Sequence, residues 1–517
     1  MRVPTVLPVE SDGLAGRGSG GIELFIPIDG VSYHARRQPG APACVDLETG
    51  RRWTYAELNA DVDRVAAWVA TRVGLASGAR IACLARNSVA MLILHLAVVR
   101  AGAVFVPLNW RLTASELEKL LADAGATLLF YDTEFARPPF GGVSLEMAEL
   151  ERIEPRSSGV THSARGVDQP STLLYTSGTS GHPKGVIVTE SNAYWGCTNF
   201  ILGNGFTGAS VMLCDMPMFH VAGLFAAVRS ALLAGGSVLI SRGFEAQRTL
   251  ARIADPLLRV SHYFSVPQMA QILWDQDNFQ PDMLRHLAVY ATGGAPNPRA
   301  QVERFVRAGI RMSDGFGMSE TSSNFGMPVY DPELLLAKAG SCGLPYIAVQ
   351  ARLVDATGSD VPVDQVGELW LRGPSITPGY WNQPELTRAA FDNGWFKTGD
   401  AAVRDADGFY YIVDRRKDMY ISGGENVYPA EIEAVLCELP GIREAAVIGV
   451  PDERWGEVGR AYVVTSPGCA LDEETILIHC RQRLAGYKLP RMIVFSTDIP
   501  RTASGKILKT ELRRRAE

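Results

Sequence analysis

Cysteine is sparse and unpatterned in this chain: eight residues spread over 517, with no C-x-x-C pair. That spacing speaks against a zinc ribbon or a disulfide framework, so buried structural thiols in a reducing compartment are expected. Long apolar runs are missing too. The longest, residues 91–99, is interrupted by His95 and falls well short of the ~20 residues a membrane-spanning helix needs. The opening stretch has no sustained apolar segment behind a basic region, and reads as a ragged lead-in rather than a secretory signal. Excess positive charge is absent: the net charge is −6, and the basic cluster at 513–515 reads as a solvated helix face. No short repeat or heptad array is visible. These absences exclude an integral membrane segment and a general nucleic-acid footprint, and a cytoplasmic globular protein is expected.

What is present is length and alternation. With 517 residues, 47% of them hydrophobic, the chain exceeds one ordinary core, so two or more domains are expected. From Trp53 onward helical and strand patterns take turns. TYAELNADVDRVAAWVATRV is apolar at helical spacing with Thr54 as N-cap, ARIACLA is a strand, Val89–Arg100 a helix and AVFVPLN a strand. SELEKLLADAG and TLLFYD repeat the order, and SVLIS with a helix at 248–254 resumes it. Strands separated by helices of this length imply parallel βαβ units. Beyond Gly340 the text turns β-rich. The charged run 414–418 then marks a boundary before a compact α+β unit with a helix at AEIEAVLCEL, strands at EAAVIGVP and GRAYVV, and a helix over 472–484.

The chemistry concentrates at LLYTSGTSGHPKG, residues 173–185. An apolar run ends in Thr176, Ser177, Gly178, Thr179, Ser180 and Gly181, followed by Lys184 between Pro183 and Gly185. Glycines let backbone N–H groups turn toward an anion, hydroxyls add donors, and the lysine neutralises charge, so this loop suits a polyphosphate. It is not a Walker A motif, whose lysine follows glycine and precedes Ser/Thr. A surface turn of no function is the bland alternative. His220, in LCDMPMFHVAGL, has by its chemistry alone the odds of a satisfied core histidine. Glu320 follows Ser319 at the end of the glycine-rich turn GFGMSET, where a carboxylate is placed to hold Mg²⁺ against phosphate oxygens. An exposed turn glutamate is its bland counterpart. Asp400 closes a Thr-Gly-Asp turn and suits the two hydroxyls of a ribose. Lys506 lies in the turn PRTASGK before a short helix.

Taken in order, YTSGTSGHPKG, GFGMSET, WFKTGD, DRRKDMYISGGENVYPAEIE and PRTASGKILK resemble the AMP-forming acyl-CoA synthetase family. Firefly luciferase and nonribosomal-peptide adenylation domains belong to the same adenylate-forming superfamily. The likeness runs from about Val31 to Lys509. It implies an α/β fold: a large N-terminal domain of stacked βαβ-type subdomains plus a β-rich subdomain, followed by a small mobile α+β C-terminal domain. The expected divisions are a lead-in at 1–30, an adenylation domain at 31–416 and a mobile domain at 417–517.

The resemblance also implies roles. The loop from Thr176 to Lys184 would hold the β- and γ-phosphates of ATP. Gly293, Gly294, Ala295 and Pro296 would enclose the adenine with Phe316, and Asp314, Gly315, Gly317, Met318 and Ser319 complete the nucleotide set. Glu320, with Thr176, would be the Mg²⁺ ligand; Asp400 and Arg415 would contact ribose; His220 would border the acyl pocket. Lys506 would meet the substrate carboxylate and α-phosphate in the first step alone. Rotation about Lys417 would then present Ser422, Gly423, Gly424, Glu425 and Asn426 to the pantetheine arm of coenzyme A. Ser319 stands where threonine is usual and Phe316 where tyrosine is commoner, both mild departures.

The implied activity is ATP-dependent acid–CoA ligation through an acyl-AMP; loading of a carrier-protein thiol and a catalytically silent homologue are the alternatives. Segments 219–225, 262–268 and 315–318, expected to line the acyl pocket, are apolar or small and carry no arginine for a second carboxylate. A hydrophobic monocarboxylic acid, fatty or bulky cyclic, is therefore expected. The protein is expected as a monomer or homodimer.

Overall fold

The computed structural model describes residues 29–74, 77–154, 166–176, 184–295, 297–415, 418–422, 425–452, 455–469, 471–484, 486–501 and 507–516. Asp29 and Gly30, at the end of the stretch read as lead-in, already belong to folded structure. The Asp29 side chain accepts from Ser32 N–H at 2.8 Å, capping the helix Gly30–Arg37, and meets Arg100 Nε at 2.9 Å. Burial alone would raise this carboxyl, but Arg100 overrides it and holds it at about 2.

Among the described residues the strands form four sheets. A six-stranded sheet runs Val143–Glu146, Ala126–Tyr131, Arg80–Leu84, Val104–Pro107, Pro170–Thr176, Lys184–Thr189, parallel until its last pair. A nine-stranded sheet is parallel across Met312–Met318, Val289–Thr292, His262–Ser265, Val211–Cys214, Ser237–Ile240 and Pro42–Asp46, with antiparallel strands at both ends. The sequence signals explain the helices between them. Thr54 and Glu57 make a reciprocal capping box at the start of Tyr55–Val73, whose Leu58, Val62, Val65 and Val69 are buried. Val89–Arg100 is buried on every face, which is why it reads as nearly unbroken apolar text.

The β-rich region is an antiparallel sheet built on Gln350–Val354, Gly367–Arg372, Trp395–Arg404 and Tyr410–Arg415. The carboxy-terminal unit has its own sheet, centred on Ile442–Asp452 and Gly456–Thr465, and its own hydrophobic clusters around Ile432, Val447 and Tyr462. Its helix Pro429–Cys437 packs against the strand Tyr410–Arg415. The helix expected over 472–484 is shorter, Glu473–Arg481: Asp472 stays outside as N-cap, accepting from Thr475 N–H at 2.8 Å, and Gln482 is the C-cap. All eight cysteines are free; six are buried, as expected, while Cys437 and Cys469 are half-buried. No helix among the described residues is long and apolar enough to cross a membrane.

Candidate active site

Pro170–Thr176 and Lys184–Thr189 form an antiparallel pair in which Thr176 stands directly opposite Lys184. Ser177, Gly178, Thr179, Ser180 and Gly181 lie outside the described residues, as do Pro296, Lys417, Gly423, Gly424 and Lys506. Residues 377–381 run along Lys184–Thr189: Ile187 N–H donates to Gly379 O at 3.1 Å, Trp381 N–H to Gly185 O at 2.7 Å, and Val186 bridges Tyr380. That docking brings the Tyr380 ring centroid within 5.8 Å of Lys184 Nζ. The Tyr380 hydroxyl donates to Glu320 Oε1 at 3.1 Å, and Thr377 N–H donates to the Glu320 carbonyl at 2.7 Å. Thr176, Lys184 and Glu320 are thus gathered by Tyr380 and Thr377, neither of which stood out in the sequence.

Glu320 is 9% exposed, on the turn between Met312–Met318 and Ser322–Gly326. This corrects the reading of GFGMSET as a glycine-rich turn: Gly315, Phe316, Gly317 and Met318 are strand, and only 319–321 turn. The glycines serve close approach. A Cβ at Gly315 would lie 2.8 Å from Phe325 O, and one at Gly317 would collide with the Ser322 carbonyl. Ser322 has φ +58°, the left-handed region, and packs against Gly196 of the helix Glu190–Asn204, where any side chain would strike it. The turn that carries Glu320 is therefore tightly seated.

Among the described residues no lysine, arginine or histidine is ion-paired with Glu320, and no group of three His, Cys, Asp or Glu gathers as an all-protein metal cage. Mg²⁺ is usually held by one or two carboxylates together with substrate phosphate oxygens. A lone buried carboxylate at Glu320 suits that donor set.

In the nine-stranded sheet, Thr292 pairs with Asp314 in parallel register, so Gly293 and Gly315 adjoin, and a Cβ on Gly293 would lie 3.2 Å from Gly315 O. Gly294 has φ +84°, a conformation that favours glycine, and leads into Ala295. Phe316 lies edge-on to Phe325 with centroids 5.9 Å apart. Asp400 is a second correction. It lies within Trp395–Arg404, where Thr398, Gly399 and Asp400 bulge between the pairs Trp370/Lys397 and Glu368/Ala401, and Gly399 at φ +74° permits the bulge. Asp400 N–H donates to Thr398 Oγ1 at 3.0 Å, and the ladder places Arg415 directly opposite Asp400. Ser422 pairs with Glu425 in the carboxy-terminal sheet.

Burial raises the Asp314 carboxyl to about 7, although Thr292 Oγ1–H, donating at 3.1 Å, and the Gly315 N–H favour its ionised form. An unfolded Asp titrates near 3.8. Stability from this group is thus fully present below the unfolded value and lost as pH rises toward 7, by up to about 1.4 kcal/mol per pH unit. Asp314→Asn is expected to flatten that slope in urea unfolding between about pH 4 and 7; a slope identical to that of the unsubstituted protein would refute it.

A small cavity, with room for about one water molecule, lies beside Glu320. Ile187, Val188, Ala193, Val221 and Phe225 line its apolar side, and Asn192, Ser319, Glu320, Ser322, Ser375 and Thr377 the polar side. Its lining is more hydroxylated than the acyl pocket expected from sequence, and of the segments 219–225, 262–268 and 315–318 only Val221 and Phe225 contribute. His262 is instead a satisfied core residue: Nε2 lies 3.1 Å from Asn204 O, Nδ1 2.9 Å from Ser261 Oγ, and burial lowers it to about 4. His220 packs on Phe219 with centroids 4.5 Å apart and immediately precedes Val221.

The family model described as AMP-binding enzyme matches residues 31–381, and that of the AMP-binding enzyme C-terminal domain matches 431–506. A feruloyl-CoA synthase of an Amycolatopsis species is 39% identical over 93% of this chain and 97% of its own. A long-chain fatty acid–CoA ligase of Mycobacterium tuberculosis is 37% identical over 93% and 97%. Among solved structures, ATP-bound MatB from Rhodopseudomonas palustris superposes with a TM-score of 0.87 at 30% identity, covering 95% of this chain and 99% of that one. The o-succinylbenzoate coenzyme A synthetase of Bacillus subtilis, in complex with ATP and magnesium ion, gives 0.84 at 31% identity over 94% and 99%.

Proposed function

Because this chain belongs to the AMP-binding enzyme family and its relatives include CoA synthases and CoA ligases, we propose that it joins a hydrophobic monocarboxylic acid to coenzyme A at the expense of ATP. The observation that carries this reading is the gathering of Thr176, Lys184 and Glu320 around Tyr380 at the edge of a cavity without a basic lining residue. A carboxylate is a poor acyl donor, since its leaving group would be oxide. Its oxygen therefore attacks the α-phosphorus of ATP, the α–β phosphoanhydride bond breaks, and pyrophosphate leaves. The sulfur of coenzyme A next attacks the acyl carbon, AMP departs and the thiol proton is released.

Each side chain has a task in that sequence. The loop 176–184 holds the departing phosphates, and Lys184 neutralises part of their charge. Tyr380 orients Glu320, Asp400 and Arg415 take the ribose, and the paired strand ends at Gly293 and Gly315 flank the base. His220 borders the acyl group. Glu320 and Thr176 would hold Mg²⁺, which when bound would screen phosphate charge. Lys506 faces the charge that develops between carboxylate and phosphate, and then withdraws as residues 417–517 rotate about Lys417. The turn 422–426, with Ser422 and Glu425 at its base, then meets the pantetheine arm, where glycine lets backbone pass a slender chain closely.

The substrate class rests on the cavity's apolar half and its lack of a guanidinium for a second carboxylate. AMP release measured over a panel of acids tests it. Aryl or alkyl monocarboxylates are expected to exceed malonate in kcat/KM by ~10² or more, since one unpaired buried carboxylate is heavily penalised. Preference for a dicarboxylate would refute the assignment, as would transfer to a holo-carrier protein in place of coenzyme A.

A further inference from the structure

One buried polar side chain has no role in this scheme. His95 sits midway along Val89–Arg100, is 0% exposed, and neither of its ring nitrogens has a hydrogen-bond partner among the described residues. His34, His262 and His479, also buried, each hold at least one hydrogen bond. Imidazole always carries a donor, and leaving it dry is costly where phenylalanine or leucine would pack as well. An unpaired buried group of this kind calls for an explanation.

The surroundings of His95 offer one. Its ring is tilted against Phe105 with centroids 5.0 Å apart, and stands edge-to-face with Phe225 at 5.8 Å. Phe225 is also a wall of the cavity that holds Glu320. A single aromatic ring therefore touches both the cavity and the stranded imidazole. That ring is carried by Ala222–Arg229, a π-helical stretch; such wide turns are rare and occur mostly at functional sites.

The charge around this region is already settled. Arg229, whose guanidinium carbon lies 5.5 Å from the Phe225 ring centroid, is bound by Glu190 through contacts of 2.9 and 2.7 Å, and Ser171 Oγ–H donates to the same carboxylate at 2.8 Å. Burial, with a smaller contribution from Arg229, keeps His95 well below the usual imidazole range and therefore neutral. A second anion would find no net positive charge there, whereas a hydroxyl would find both a donor and an acceptor.

We propose that Phe225 is a movable wall and that, once it swings aside, the acyl cavity extends to His95, which hydrogen-bonds a neutral polar group at the far end of the acid. The inference rests on reading the cavity as the acyl pocket, and narrows the substrate class to hydrophobic monocarboxylates with a distal hydroxyl, of which a phenolic acid is the plainest example. His95 is then a specificity-determining residue rather than a packing defect.

Paired acids test this: 4-hydroxycinnamate against cinnamate, and 10-hydroxydecanoate against decanoate, followed by AMP release. The unsubstituted protein is expected to favour the hydroxylated member of at least one pair by ~10-fold or more in kcat/KM. His95→Phe is expected to bring that ratio close to one and to raise the melting temperature, whereas His95→Gln, which keeps a donor and an acceptor, retains part of the preference. If the Phe variant does not fold, His95→Leu takes its place. Equal kcat/KM within both pairs, or a preference that survives loss of the imidazole, overturns the proposal. Absence of AMP with every acid overturns the ligase reading itself, a distinguishable failure.

Discussion

Lys506→Ala is expected to lower acyl-adenylate formation by on the order of 10²–10³-fold, while thioester formation from supplied acyl-AMP and coenzyme A changes by less than about 5-fold. The asymmetry follows from where charge develops. The first half-reaction brings a carboxylate against a phosphate, two anions, and a single ammonium placed between them favours the transition state over the separated reactants. In the second half-reaction a neutral thiol attacks an acyl carbon and no such encounter occurs. PRTASGKILK carries this residue, and Arg501 and Ile507 on either side of it are joined in an antiparallel bridge. Pyrophosphate exchange measures the first step, and thioester formation from synthetic acyl-AMP measures the second. Equal loss of both would mean that the lysine supports the fold or binds both reactants alike.

Glu320→Gln ranks second in expected effect. The amide keeps the shape and an acceptor for the Tyr380 hydroxyl, and the backbone bond from Thr377 N–H is untouched, so the fold should survive. What disappears is the negative charge. Adenylation is expected to fall by about 10²-fold at fixed Mg²⁺, with the half-saturating Mg²⁺ concentration shifted upward. Thermal stability should hold or rise, because a buried carboxylate with no ion-paired cation among the described residues is itself unfavourable. Thioester formation from acyl-AMP should be nearly unchanged. A variant with the original Mg²⁺ requirement would remove Glu320 from the metal site.

Sequence reading reached the elements with local causes. Thr54 and Glu57 announce their helix by hydrogen bonds only three residues long, and the alternation from Arg80 to Tyr131 carries the parallel pairings because helices of that length return the chain in one direction. The motif glycines misled where they serve close packing instead of reversal: Gly315 and Gly317 are strand residues because a carbonyl occupies the place of each side chain. Asp400 sits on a bulge, which differs from a turn only in what lies opposite.

Tyr380 and Thr377 were invisible for a different reason. Their role comes from bridging a strand about 190 residues away, as Thr377 Oγ1–H also does by donating to Ile187 O at 2.6 Å, and nothing near them in the chain marks that contact. Asn192, through bonds of 2.8 Å to Pro374 O and Ile376 O, joins the same seam to the helix Glu190–Asn204, so part of the cavity wall comes from a helix not singled out in the sequence. His95 registered only as an interruption in an apolar run, since its surroundings, two phenylalanines from distant elements, exist only in the folded chain.

The most direct test is isotope exchange between pyrophosphate and ATP in the absence of coenzyme A. Acid-dependent, Mg²⁺-dependent exchange is expected, because a mixed anhydride forms reversibly before any thiol is present. Exchange that appears only when coenzyme A is added, or ADP and phosphate as products in place of AMP and pyrophosphate, would contradict an adenylate intermediate and with it the roles given to Lys184, Glu320 and Lys506.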